Sequence, residues 1–534
     1  MIRSLHSKVS NIKHAFLFGA LLITLVFLIT RLPFLLNYPV LVLSSDSASY
    51  CAVAFDIMNL EMPLFDIRTP GYPLFLSFVW MFSKTAYAVS LMQSLFTLAA
   101  SLFLLLAFSR SYASLTILFA VAICGFISSS YYLLLESSIL TEGLFTGMMM
   151  ICSGFLVMAL KEDKNYLWIL FSMTSAVSIL IRPAGLFLLG VMLCIILFFV
   201  INKYSFRYYI SLILPFSVII IALCIYNLFT LNKFTITPFG EANLMGATIL
   251  YMEPSEEYPA IVNEAINNTL DSIPRMDLNL VRNSSDISKL YHTFNENFYR
   301  QVNLTENLML LKPGLTFVDI QPIIRQISLD AIRKNPKVYL KFFVSNFLFF
   351  FNNIKIELSY FEQLASVYKR SVVEKKYTKE IESGRWRQIS SDKSDYETVK
   401  NFFDAEIARQ NDLSNVSYNE KGDVELKPSI LKSIFEIYDK IYNFVFRNLL
   451  WLVLFGSVLT LSIFKLWKSK FRNVDAFIPL LFCIIFLSKA LLVSSVEVSL
   501  ARYSYTVEYV IYFSLPFLFI LLKNSNKKLS DKIT

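Results

Sequence analysis

Charge is scarce in this chain. Only 17% of its 534 residues are Asp, Glu, Lys or Arg, while 55% are hydrophobic, and the mean hydropathy is +0.55. A soluble protein of this length needs far more charge to cover its surface, so a string of soluble domains is excluded as the main architecture. Glycine is scarce as well. Its 14 residues form no Gly-rich nucleotide loop and exclude a collagen-like chain. Histidine is limited to His6, His14 and His292, none in the middle of an apolar run. That argues against intramembrane His catalysis and against a His-ligated haem or zinc. The six cysteines contain no C-x-x-C pair, and Cys124, Cys152, Cys194, Cys224 and Cys483 lie inside apolar runs. Neither a zinc site nor a disulfide framework is indicated. The net charge of +9 does not point to nucleic acid, because the basic residues cluster at the ends of apolar runs, as orientation signals do.

What the chain has is long apolar runs, rich in its 49 Phe and 28 Tyr. A hydrocarbon core of ~30 Å requires about 20 residues of helix. Runs of that kind are read at about 15–36, 86–108, 113–135, 139–160, 166–182, 184–201, 207–230, 448–467, 474–494 and 504–522. The expected fold is an all-α polytopic membrane protein with about 10–11 transmembrane helices. The first run is too long for a cleavable signal, and Arg31 and Pro33 follow it. Basic residues near Arg3, Arg110, Lys161, Lys203, Lys465 and Lys523 mark one side as cytoplasmic, with both termini on it. The opposite side receives residues 37–69, 136–138, 183, 232–447 and 495–503.

Three regions follow. Residues 1–231 form an N-terminal transmembrane module with a first outer loop at 37–69. Residues 232–447 form an extracytoplasmic segment with interfacial helices at 338–354 and 429–447 and a densely charged middle from Glu374 to Lys400. Residues 448–534 return to the membrane and end in a basic cytoplasmic tail. The apolar run from Leu74 to Ser83 is too short to cross and is expected along the interface.

The ionisable residues of the outer turns are the candidates for chemistry. The first loop carries Ser44-Ser45-Asp46-Ser47-Ala48-Ser49-Tyr50 and Arg68-Thr69-Pro70-Gly71-Tyr72-Pro73. Asp46 sits where a helix starts, so capping is its bland role. Glu142 opens an apolar helix, Arg182 stands in a turn where positive charge is disfavoured, and the last turn holds Glu497 and Arg502-Tyr503. Carboxylates and guanidiniums at one headgroup level suit a phosphate-bearing lipid and an acceptor hydroxyl, since guanidinium binds phosphate bidentately. The centres of the runs read as nearly free of charge, which speaks against a transporter, whose pathway needs ionisable groups mid-membrane.

D-S-x-S-Y at Asp46–Tyr50, R-T-P-G-Y-P-L-F at Arg68–Phe75, T-E at Thr141–Glu142, R-P-x-G at Arg182–Gly185, Asn335-Pro336-x-x-Tyr339-Leu340, and Glu497 with Arg502-Tyr503 carry a resemblance. Together they resemble the GT-C superfamily of integral membrane glycosyltransferases, in the family-39-like branch of protein O-mannosyltransferases and lipid A aminoarabinose transferases. The resemblance implies a polyprenyl-phosphate-linked sugar donor, a glycan, lipid or protein acceptor, inversion at the anomeric carbon, and a site on the extracytoplasmic side of a membrane such as the bacterial inner membrane. Carried over, Asp46 takes the essential Asp position and Arg68 a basic position near the donor phosphate. Ser47 stands where the protein mannosyltransferases have a second acid, and D-x-D is lacking.

Asp46 is therefore the expected general base, and Glu142 a second catalytic carboxylate. Arg68, Arg182 and Arg502 are expected on the donor phosphate, and Tyr50, Tyr72, Glu497 and Tyr503 around the substrates. A divalent cation, Mg2+ or Mn2+, shared by Asp46 and Glu142 stays open as a cofactor. A lipid-linked glycan polymerase or ligase is the nearest alternative function, and a lipid or sugar transporter the more distant one.

Overall fold

The computed structural model describes residues 2–37, 45–65, 67–312, 314–353, 393–413, 416–418, 424–426 and 430–530. The first residues of the outer loop, 38–44, and most of the charged stretch expected around Glu374–Lys400 lie outside them. The described chain is helical apart from two three-residue strands, Val416–Tyr418 and Val424–Leu426, paired antiparallel.

Eight helices among the described residues are long and apolar enough to cross a membrane: Lys13–Leu32, Ala86–Ser111, Thr141–Glu162, Pro183–Ile201, Phe206–Leu231, Glu436–Lys468, Val474–Val496 and Ala501–Lys523. The expectation of about 10–11 is corrected to this number, and the reasons are local. The run read at 113–135 breaks into Ala113–Ile127 and Ser130–Glu136, bent by 68°. The break falls at Ser128-Ser129, where the Ser129 hydroxyl accepts from Tyr132 N and starts a new helix. Counted as one broken span, that pair makes nine. The run at 166–182 forms a 17-residue helix, Asn165–Ile181, about 25 Å long at 1.5 Å per residue and so short of the hydrocarbon thickness.

Four elements set the geometry of the N-terminal half. We label them in chain order α1 (Ser45–Met58), α2 (Gly71–Trp80), α3 (Ala86–Ser111) and α4 (Thr141–Glu162). Helix α4 is the most enclosed, with 83% of its apolar window buried. Gly147 and Gly154 lie one heptad apart on it, and an added Cβ at either would stand 2.7 Å from the rings of Phe96 or Phe103 on α3. Small residues at such spacing let two membrane helices approach closely.

Helix α2 is the short helix expected from the 74–83 run. It packs against the end of Asn165–Ile181, where a Cβ on Gly71 would sit 2.6 Å from Ile181 N and from Leu180 C. No side chain fits there, so Gly71 lets the Arg68 turn close on the backbone that leads into Arg182. Trp80 on α2 contacts Phe55 of α1 and Phe402 of helix Lys393–Leu413, with ring centroids 4.9 and 5.0 Å apart.

Residues 240–342 build a second helical body with its own core, including Met245, Tyr251, Phe294 and Ile320. The interfacial helix expected at 338–354 is Pro336–Asn352. Phe342 joins that second core, while Phe350 joins the membrane-helix core against Phe486 at 5.2 Å. The helix expected at 429–447 is Ile430–Phe446. After a break at Arg447 and Asn448 it continues into Leu449–Lys468, so that Glu436–Lys468 counts as one span. Its aromatic and acidic face docks on the 128–130 break: Tyr438 Oη donates to Ser128 O, and Ser130 Oγ donates to Asp439 at 2.5 Å.

Candidate active site

The first turn of α1 projects Asp46 into a group of guanidiniums. Its Oδ1 lies 2.8 Å from Arg68 Nη2 and its Oδ2 lies 3.0 Å from Arg502 Nη1. Partial burial disfavours the charged carboxylate, but the two guanidiniums outweigh it and hold Asp46 well below the usual carboxylate range. The local sequence explains the aim of Arg68. Its Nε donates to Ser49 Oγ at 2.7 Å, its Nη1 to Tyr50 Oη at 3.3 Å, and its guanidinium lies 4.4 Å from the Tyr50 ring centroid. Tyr72 meets Tyr50 edge-on at 5.0 Å. Ser49, Tyr50 and Tyr72 thus form a cradle for one side chain, and it comes from the two motifs of the first loop.

Glu142, at the start of α4, is 1% exposed. Its Oε1 lies 2.6 Å from Arg182 Nη1 and 3.8 Å from Arg502 Nε. Arg182 Nη1 also donates to Thr141 Oγ1 at 3.1 Å. The Arg182 charge is stabilised further by Glu142, although burial works against it. Arg502 is therefore the link: it touches Asp46 and Glu142, and its Nη2 donates to Tyr503 Oη at 2.9 Å. Tyr503 Oη in turn donates to Glu497, and the Arg182 guanidinium lies 4.8 Å from the Tyr503 ring.

All nine candidate residues consequently belong to one connected network. It runs from Tyr72 through Tyr50, Arg68, Asp46 and Arg502 to Tyr503 and Glu497, with Glu142 and Arg182 joined at Arg502. Asp46 is more open than Glu142, with 29% of its side chain exposed against 2%, and Glu497 is partly exposed as well.

Distant elements hold the last turn in place. Ser499 N donates to Asn346 Oδ1 at 2.9 Å, and Ser499 O accepts from Tyr291 Oη and Asn353 Nδ2 at 2.9 and 3.0 Å. Tyr339 Oη donates to Ser495 O at 2.7 Å. The helical body and helix Pro336–Asn352 therefore hold the turn at 495–499 that carries Glu497 and leads to Arg502. Tyr299 of that body lies within electrostatic reach of Arg502, Glu497 and Asp46, and its hydroxyl is shifted upward, first by burial.

The donor set does not fit a divalent cation. Both Asp46 oxygens and Glu142 Oε1 are taken by guanidiniums, three arginines surround them, and no imidazole is near. Among the described residues no cluster of three or more His, Cys, Asp or Glu could hold a metal. A hard cation needs about six oxygen ligands, so the open cation reading finds no support in this arrangement.

Sequence reasoning missed several ionisable groups. Lys489 lies within Val474–Val496 and is fully buried. Its Nζ has no hydrogen-bond partner among the described residues, and it faces the rings of Phe145 and Phe187 at 5.1 and 5.4 Å. Arg31 pairs with Glu136 at 2.9 Å and Arg447 with Glu508 at 2.5 Å, both pairs almost completely buried. Lys489 and Glu508 lie inside two of the apolar runs, nearer the ends that flank residues 495–503 than the run centres. The single charges were diluted by long apolar neighbours, and a partner 105 residues away, as for Arg31 and Glu136, leaves no local signal.

Comparison with family models, with curated protein sequences and with solved structures gave no match, so the reading of this site rests on its residues and their geometry.

Proposed function

We propose that this protein is an inverting glycosyltransferase that moves a sugar from a polyprenyl-phosphate-linked donor to an acceptor hydroxyl at the outer face of a membrane, in a GT-C-like arrangement. The observation that carries the reading is the position of Asp46: a half-exposed carboxylate clamped between Arg68 and Arg502, with Arg182 in the same network. The motif resemblance and the distribution of basic residues support the substrate class and the orientation.

The chemistry follows from the partners. Arg68 uses three of its five N–H groups on Ser49, Tyr50 and Asp46. The rest remain for phosphate oxygens. A donor phosphate shares the guanidiniums with Asp46 and weakens their hold on it. That raises the basicity of Asp46 at the moment the donor is bound. Asp46 then accepts the proton of the acceptor hydroxyl while its oxygen forms the new bond to the anomeric carbon. The bond from that carbon to the phosphate oxygen breaks on the opposite face, and its electron pair leaves with the polyprenyl phosphate. Arg68, Arg182 and Arg502 stabilise that charge. Glu142 is enclosed and bound to two arginines, so we assign it to positioning Arg182 and Arg502.

Membranes with and without the protein, given a panel of radiolabelled polyprenyl-phosphate sugars, test the reading. Protein-dependent release of the lipid phosphate with label moved to a new product is the expected result. A protein that moves label across the bilayer without breaking the sugar–phosphate bond would instead be a transporter. Transfer of preassembled glycans alone would favour a polymerase or ligase.

A further inference from the structure

A cavity of about 380 Å³ lies in the helical body, away from the Asp46 network, lined among others by Lys233, Thr235, Glu241, Gln321, Arg325 and Arg333. It shares no residue with that network. It is bounded by helix Phe317–Lys334 and the start of Gly240–Thr248, just beyond the end of the span Phe206–Leu231.

Lys233 is anchored at the cavity wall, while Arg325 and Arg333 line it as exposed side chains, and the sequence explains the anchoring of Lys233. Pro322 sits inside Phe317–Lys334. Proline has no N–H, so the carbonyl four residues earlier loses its helical partner. That carbonyl is Val318 O, and Lys233 Nζ donates to it. The proline therefore creates the acceptor that fixes the ammonium at the cavity wall. Arg333, 74% exposed, pairs with a carboxylate of its own helix. Its Nη1 lies 3.1 Å from Asp330 Oδ1, and Asp330 Oδ2 accepts from Tyr258 Oη at 2.8 Å. Arg325 makes no ion pair among the described residues. Among the lining residues three cations stand against one carboxylate, Glu241, with Asp330 beside Arg333 and Asp319 within electrostatic reach of Lys233.

One further group asks for a ligand. Gln321 is 2% exposed and lines the cavity. Its Nε2 donates to Phe317 O at 3.1 Å, but its Oε1 has no hydrogen-bond partner among the described residues. A buried amide oxygen left unpaired is costly, and a hydroxyl in the cavity would satisfy it. Positive charge beside an unpaired acceptor calls for an anion that carries its own donor.

We propose that this cavity binds a phosphate ester bearing a hydroxyl, with Lys233, Arg325 and Arg333 serving the phosphate and Gln321 Oε1 the hydroxyl. Lys233 stands two residues beyond the end of an apolar span, which allows two sources of this chemistry: a lipid headgroup or a soluble glycerol phosphate. The inference does not depend on the glycosyl-transfer reading.

The test uses the purified full chain in a non-ionic detergent, titrated calorimetrically with glycerol 1-phosphate, with phosphatidylglycerol in mixed micelles, and with glycerol. Saturable binding of a phosphorylated probe and none of glycerol is the expected result. Saturation by both phosphorylated probes identifies a site open to soluble esters, and saturation by phosphatidylglycerol alone identifies a headgroup site. Arg325→Gln should weaken that binding at least tenfold. Arg325 has no ion pair to lose among the described residues, so this variant should fold as the wild type does, whereas Lys233→Gln also removes the Val318 contact. Gln321→Leu should weaken glycerol-bearing probes more than methyl phosphate. Failure of both phosphorylated probes to saturate the wild type, or equal affinity in Arg325→Gln, would overturn the proposal.

Discussion

Asp46 is an acid whose neighbours keep it ionised. A positioned base works best when its pKa lies near the working pH, and Asp46 in the free protein lies well below the usual carboxylate range. Its depressed pKa means the ionised form persists through neutral pH and is lost only as pH falls through the low folded value. Its contribution to stability has the same sign, present above the unfolded value of about 3.9 and lost in acid. Arg68→Gln removes one of the two clamps. The acid limb of kcat/KM, which reports the free enzyme, should then move to higher pH than in the wild type. An unmoved limb would show that the clamp does not set the Asp46 proton affinity. Arg68→Lys should restore charge but only part of donor affinity, because an ammonium cannot hold phosphate bidentately. A donor titration comparing Arg68→Lys with the wild type measures that difference, and equal affinity would remove Arg68 from the phosphate site. The candidates themselves were legible in the sequence because each is an isolated charge in a short turn between apolar runs. Their pairing was not, since Arg502 reaches Asp46 across 456 residues.

At the scale of elements, the site depends on how closely short helices pack. The sequence identified the 74–83 run as too short to cross, and α2 is that helix. The sequence could not show why Gly71 follows Pro70. The reason is its contact with the backbone of residues 180 and 181. Gly71→Ala puts a methyl group where no space exists and should force α2 away from the Arg182 turn. Overpacking of this kind costs about 1–3 kcal/mol, and here it should also weaken donor binding by separating Arg68 from Arg182. Thermal unfolding together with donor titration checks both parts. A variant of normal stability and normal donor affinity would show that the close approach has no bearing on the site. The broken run at 113–136 shows a complementary limit. Hydropathy sees one apolar stretch, while the capping hydroxyl of Ser129 ends one helix and starts another.

For the whole molecule, hydropathy recovered eight spans because 20-residue apolar helices carry their own signal. It did not recover the helical body at 240–342, whose core assembles from short amphipathic helices with no periodic signal long enough to stand out. Basic residues gather at one end of the bundle, where Lys161 pairs with Asp475 and Arg110 approaches Glu162 at 3.8 Å. The Asp46 network occupies the other end. By the orientation rule the body should face away from the cytoplasm. Ser285 is exposed on that body, so Ser285→Cys should react with an impermeant maleimide added outside. Reaction of Ser285→Cys only after the cytoplasmic side is opened would reverse the topology.

Whether Asp46 takes the proton of the acceptor is read from the turnover of purified Asp46→Asn. The amide keeps the shape and the ability to accept a hydrogen bond, so a capping role would survive the change. The account predicts a folded protein that still binds the lipid-linked donor but transfers its sugar about 10²–10⁴-fold more slowly, the usual contribution of a positioned base. Transfer by Asp46→Asn within a few-fold of wild type would contradict it.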